Sequence, residues 1–210
     1  MYVPKPYAET DPAVLDAFIR ATGFATLVTA GAGEPFATHI PLELVRASGG
    51  SMVLEGHVSR ANPHWRELES GARCLAIFAG AHTYVSSSWY EHENVPTWNY
   101  MVVHAWGAAR LIEDETRVRD LLRRLSLHYE PDGAAAGGFD VDRLTPGFYD
   151  KEVRGIVAFE IAVDKVEAGF KLSQNRNETD HRRIIEKLKA RGDENSRLIA
   201  EAMEQRHRRP

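Results

Sequence analysis

The sequence predicts a mostly β fold with flanking helices, a small closed or split β-barrel, and three observations carry that expectation. Short alternating apolar runs follow one another in quick succession, and only short helical patterns separate them. The 210 residues, 43% hydrophobic, suffice for one ordinary core. About six strands of this kind are too few for a large sandwich, whereas a small barrel accommodates them and hides their edges.

The elements follow in order. Asp11 and Pro12 read as helix cap and first helical residue, Leu15, Phe18 and Ile19 as the apolar face, and Gly23 as the stop. Strands at 24–30 and 36–45 flank the turn Gly31-Ala32-Gly33 and read as a hairpin. In the second, Phe36, Thr38, Ile40, Leu42 and Leu44 alternate with His39, Pro41 and Glu43. Ser48-Gly49-Gly50 turns into a strand at 52–58, a helix at about 63–69 follows, and 73–79 returns as a strand. The run 98–112 alternates again. Val118, Leu121, Leu122, Leu125 and Tyr129 recur at helical spacing behind Asp114, so 114–130 is an amphipathic helix. Residues 131–150, rich in Gly, Ala and Pro and without period, read as a mobile loop. A last strand at 156–163 and two helices, about 179–190 and 194–205, complete the chain. This divides it into a barrel domain at 1–176 and a C-terminal helical extension at 177–210.

Composition narrows the function classes. No stretch approaches about 18 uninterrupted apolar residues, and residues 1–9 carry two prolines and charge where a signal core would be apolar, so a cytoplasmic protein without membrane association is expected. Cys74, the single cysteine, sits in the apolar run 74–78 and reads as a buried strand thiol. Residues 181–210 hold 9 Lys/Arg against 5 Asp/Glu, leaving 17 against 25 elsewhere. An acidic body does not attract a polyanion, so any DNA contact falls to a local patch or to the basic tail, where Arg182, Arg183, Lys187, Lys189, Arg206, Arg208 and Arg209 collect. The nine histidines show neither helical i, i+4 nor short-loop zinc spacing and lack cysteine partners, which argues against a metal. There is no glycine-rich nucleotide loop, no Gly-x-Ser-x-Gly and no nucleophile with a base at readable spacing, so no catalytic residue is assigned.

Three clusters carry chemistry. The run from Glu55 to Trp65, with His57, Ser59, Arg60 and Asn62, leads from a strand end into a helix start and suits a phosphate. Equally, Asn62 and Pro63 simply start the helix and Arg60 is a solvated charge. The second runs from Ser86 to Gly107 and holds three of the four tryptophans. Trp98, Asn99 and Tyr100 there suit a flat heteroaromatic ring, or else Trp98, Tyr100 and Trp106 are core or dimer-interface anchors. The third, Phe170 to Arg176, places Lys171 and Arg176 beside Gln174 and Asn175, either to neutralise an anion or as a solvated loop. His57 and His104 read as haem or flavin neighbours, or as core histidines with one hydrogen bond each.

Taken in order, Met1-Tyr2-Val3-Pro4, Thr38-His39-Ile40-Pro41, Gly56-His57-Val58-Ser59-Arg60-Ala61-Asn62-Pro63, Trp89-Tyr90, Pro96-Thr97-Trp98-Asn99-Tyr100 and Lys171-Leu172-Ser173-Gln174-Asn175-Arg176 resemble the PaiB-like FMN-binding negative transcriptional regulators. The resemblance covers nearly the whole chain. It implies a split β-barrel similar to the pyridoxamine 5′-phosphate oxidase-like flavoproteins, which pair into homodimers with FMN at the subunit interface. By that similarity Ser59, Arg60 and Asn62 look like the phosphate end, 38–41 a strand along the flavin, and 98–100 a partner-facing strand. Where the family usually reads Ser-Pro-Ser before Trp-Tyr, this chain has Ser86-Ser87-Ser88, which frees the backbone at position 87. Three functions stay open: a flavin- or redox-responsive repressor, an FMN-dependent oxidoreductase using NAD(P)H or oxygen, and a haem-binding or haem-handling protein.

Overall fold

The computed structural model describes all residues except 32, 133–137 and 208–210, together with the side chain of His207. Ala32 of the expected turn, the centre of the expected 131–150 loop, and Arg208 and Arg209 of the basic tail thus lie outside the described residues. The strands are β1 (Ala8–Glu9), β2 (Phe24–Thr29), β3 (Phe36–Pro41), β4 (Glu43–Arg46), β5 (Met52–Ser59), β6 (Arg73–Val85), β7 (Thr97–Leu111) and β8 (Ile156–Lys171). The helices are α1 (Pro12–Thr22), α2 (His64–Glu69), α3 (Glu115–Tyr129), α4 (Pro146–Arg154), α5 (Glu178–Arg191) and α6 (Glu194–His207). The strands hydrogen-bond in the order β3-β2-β6-β7-β8-β5-β4, with β1 on β8. The expected class, mostly β with flanking helices, is the class found.

Two compact units make up the chain. The larger comprises 19–77 and 105–166, and the smaller comprises 1–18, 78–104 and 167–210.

In the larger unit β2 and β3 form the expected antiparallel hairpin, with Thr26 opposite His39. Strand β5 pairs with β4 on one side, Glu43 opposite Glu55, and with β8 on the other, His57 opposite Ala158. Leu27, Leu54, Leu68, Phe159 and Ile161 are closed to solvent at the centre. Helix α3 adds Val118 and Leu121, packed with Ile112 and Ala158. Gly107 is required here: a Cβ at that position would stand 2.1 Å from the Ala162 carbonyl oxygen.

In the smaller unit Phe18 of α1 packs on Phe170 at 5.0 Å between ring centres. Helices α5 and α6 bury Ile184, Leu188, Ile199, Ala200 and Met203. The turn between them uses Gly192 at φ 81°, a left-handed conformation that costs glycine little.

Four expectations are corrected. The strand expected at 36–45 is two strands: Leu42, Glu43 and Leu44 are all buried, which ends the period of two, and the Leu42 N–H donates to the Gly23 carbonyl at 2.9 Å. The chain leaves β2 there and joins β5. The strands expected to end at 79 and 163 continue to Val85 and Lys171, so Phe170 and Lys171 belong to β8 and not to a loop. With the two-residue β1 the strands number eight among the described residues, not about six. Within 131–150 lies the start of α4, which opens on Thr145 and Pro146 and buries Tyr149. Nine residues with one buried side chain are too few to show a helical period.

Candidate functional site

A cleft of about 360 Å³ in the larger unit brings together six of the expected site residues: Thr38, Ile40 and Pro41 from β3, His57 and Ser59 from β5, and Asn62 before α2. Strand geometry explains the selection. Alternate residues of β3 face opposite ways, so Thr38 and Ile40 share the cleft side. His39 faces away, exposed, with its Nδ1 2.9 Å from Thr26 Oγ1 and its ring stacked on Phe24. Glu152, Gly155 and Ile156 close the cleft from the end of α4 and the start of β8.

The polar groups in the cleft are partly used and partly open. Ahead of α2, Asn62 Oδ1 accepts the His64 N–H at 3.1 Å, while its Nδ2 donates to Thr38 Oγ1 at 3.1 Å. The N–H groups of Trp65 and Arg66 donate to the Asn62 and Pro63 carbonyls. The first turn of α2 therefore has its donors satisfied, and a phosphate would meet side chains there. His57 Nδ1 is buried with no hydrogen-bond partner among the described residues, and burial pushes the His57 pKa down, which keeps the ring neutral. An orphaned ring nitrogen beside two hydroxyls and an amide makes a polar lining for a ligand, since such a group is costly to leave unpaired.

Arg60 takes a different position. Its Nε donates to the Arg154 carbonyl at 2.9 Å and its Nη2 to the Ile156 carbonyl at 3.0 Å. The side chain is exposed and lines a neighbouring cleft with Trp65, whose indole N–H donates to the Arg60 carbonyl at 3.0 Å. It braces the junction between α4 and β8.

The remaining expected residues lie in the smaller unit. Trp98 is 53% exposed and meets Tyr84 edge-on at 6.0 Å. Asn99, on the other face of β7, is closed to solvent and donates to Ser173 Oγ at 3.0 Å; Tyr100 is half-buried. Lys171 Nζ donates to Thr97 Oγ1 at 2.5 Å, and burial, then the nearby Arg176 charge, pushes its pKa down. Gln174 folds back, its Oε1 accepting the Leu172 N–H at 2.7 Å and its amide donating to the Phe170 carbonyl. Arg176 lies 4.7 Å from the Tyr90 ring centre, and Asn175 is exposed. Gln174 and Arg176 line a cavity of about 430 Å³ with His181 and Arg206.

Three participants were missed by sequence reasoning: Thr29, His64 and Glu67, which stand directly behind Thr38. His64 is 1% exposed, and its ring nitrogens lie 2.9 Å from Thr29 Oγ1 and 2.8 Å from Thr38 Oγ1. The signal was Thr29, a hydroxyl at an inward strand position that needed a partner.

The sequence model of the family described as "Putative FMN-binding domain" matches residues 1–165. A relative from Bacillus subtilis, the protease synthase and sporulation protein PAI 2, is 38% identical over 205 residues, 97% of each chain. Among solved structures, the FAD and haem binding protein from Mycobacterium smegmatis aligns with a TM-score of 0.63 at 20% identity, covering 89% of this chain and 80% of that one. The flavocytochrome Anf3 from Azotobacter vinelandii aligns with 0.64 at 20% identity, covering 86% and 78%. At that identity the likeness is one of fold, the split β-barrel.

Proposed function

The chain belongs to the FMN-binding family whose model spans its first 165 residues, and on that premise we propose that it holds FMN in the cleft of Thr38, His57, Ser59 and Asn62 and acts as a negative transcriptional regulator responsive to flavin or redox state. FMN is the cofactor that membership assigns. The observation that carries the location is His57, which lines the cleft with Thr38, Ser59 and Asn62 and whose buried Nδ1 has no hydrogen-bond partner among the described residues. When bound, FMN supplies a redox-active ring, and what these residues supply is position. Ile40, Pro41 and Ile156 give an apolar wall for a flat ring, while Ser59 and Asn62 add neutral polar contacts. Arg60, next to Ser59, is the cation for the phosphate, sharing a guanidinium already held by two carbonyls.

The regulatory half rests on the likeness to PAI 2 over nearly the full length of both chains. A homodimer in the cytoplasm, with any DNA contact on the basic C-terminal helices, fits this role.

Titrating FMN and riboflavin in parallel tests the phosphate assignment. Arg60→Ala should weaken FMN by roughly ten- to a hundredfold, the loss of one charged donor, and leave riboflavin nearly unchanged. Equal losses for both would mean that Arg60 acts through its brace on residues 154–156. No loss for FMN would move the phosphate to Lys171 or Arg176. The absorbance spectrum of the purified protein decides among the three functions: a Soret band would replace the flavin reading with haem, and steady NAD(P)H oxidation would make the protein an enzyme.

A further inference from the structure

The hydrogen bonds behind the cleft fix which atoms carry the protons. Thr29 donates its hydroxyl proton to the Glu67 carboxylate. A hydroxyl has a single proton, so Thr29 must accept at its contact with His64 Nε2, 2.9 Å away, and Nε2 carries the ring proton. Burial pushes the His64 pKa down, with the Glu67 charge opposing, and a neutral ring protonated at Nε2 accepts at Nδ1. Thr38, 2.8 Å from Nδ1, therefore spends its own proton on His64. Asn62 Nδ2 donates to the same Thr38 oxygen, which leaves that oxygen one lone pair and no proton.

We propose that His64 is a positioning residue that makes Thr38 a pure hydrogen-bond acceptor in the cleft, so that the part of the ligand meeting Thr38 is an N–H or O–H group. This rests on the cleft being the flavin site. FMN offers such donors at the imide edge of its ring and along its ribityl hydroxyls. Its phosphate oxygens, when ionised, only accept, so the phosphate end points away from Thr38. The relay thus keeps the ionised phosphate off Thr38, without His64 touching the flavin.

Two measurements on the full chain test this. Nitrogen-15 NMR of histidine-labelled protein, with the His64 signals identified by their loss in His64→Gln, should show a protonated Nε2 and a bare Nδ1 at neutral pH. A ring protonated at Nδ1, or at both nitrogens, overturns the proposal without any ligand present. In FMN titrations Thr38→Val should bind roughly five- to tenfold more weakly, the loss of one neutral hydrogen bond, whereas Thr38→Ser should stay within about twofold of the parent. If Ser59→Ala weakens FMN but Thr38→Val does not, the cleft remains the flavin site and the acceptor role of Thr38 is refuted. If neither change affects FMN binding, the cleft is not the flavin site, and both readings fall.

Discussion

At the scale of single residues, the buried histidines tie stability to pH. His57 and His64 both have pKa values pushed below the ordinary value of about 6.5 by burial, so the unfolded chain takes up their protons more readily than the folded one. Their contribution is intact above about pH 6.5 and is lost as pH falls from there toward the folded values. Melting temperatures recorded by circular dichroism should therefore drop between pH 7.5 and 5.5, and His57→Gln should flatten part of that slope; an unchanged slope would mean that the ring charges freely in the folded state. The same residues show how much of the site was legible. His57, Ser59 and Asn62 stood out because polar residues cluster where a strand meets a helix start. His64 sat in the same run unassigned, because the direction of its ring depends on Thr29 and Glu67, and nothing in the local sequence ties those two to it.

At the scale of elements, α3 is held to the sheet by a row of charges as well as by Val118 and Leu121. Glu43, Glu55 and Glu160 stand opposite one another on β4, β5 and β8 and are all buried. Arg117 donates to Glu55 at 2.8 Å and to Glu160 at 2.5 Å, Arg124 donates to Glu55, Arg110 of β7 donates to Glu160, and His128 lies 3.4 Å from Glu43. Burial pushes the Glu160 carboxyl up, but the Arg117 and Arg110 guanidiniums outweigh it and hold the pKa below the usual range. Arg117→Ala would leave two facing carboxylates under-compensated and should cost about 2 kcal/mol or more in urea unfolding. Adding Glu160→Gln to that variant should restore part of the loss, and no restoration would mean that Arg117 contributes packing alone. Helix α3 was legible because its apolar residues repeat at helical spacing. The strand break at Leu42 was not, since apolar residues alternate in sequence across it, and only the consecutive burial of Leu42, Glu43 and Leu44 and the change of partner strand reveal it. Helix α4 was hidden by its brevity.

At the scale of the whole molecule, exposure and charge bear on partners. In the smaller unit Tyr84 and Trp98 are 41% and 53% exposed, open aromatic surface of the kind that marks an interaction site. If a second copy covers Trp98 and Tyr84, as the homodimer proposed above requires, light scattering at micromolar concentration should return twice the 23.5 kDa chain mass, with Trp98→Glu shifting it toward one copy. The tail needs a gentler test than deletion. Residues 181–210 contribute Ile184, Leu188, Ile199 and Met203 to the core of the smaller unit, so removing them would unfold it. Much of its charge is also answered locally: Lys189 pairs with Glu204, Arg197 with Glu194 and Glu201, and Arg206 with Glu9. Exposed Arg183 and Lys187 remain the better contacts, and if DNA binding depends on the tail, Arg183→Glu with Lys187→Glu should lower affinity and flatten its salt dependence. An unchanged salt slope would exclude the tail.

The smaller unit is assembled from three stretches of chain far apart in sequence, and that has a consequence during synthesis. Strand β1 pairs with Ala168 and Gly169, and the Met1 amino group pairs with Glu167, 166 residues later. At ribosomal speeds of about 5–20 residues per second, the first strand waits roughly 10–30 s for its partner to be made. The larger unit's residues, 19–77 and 105–166, are made in between, so α5 and α6 close a unit whose residues 1–18 were translated well before them.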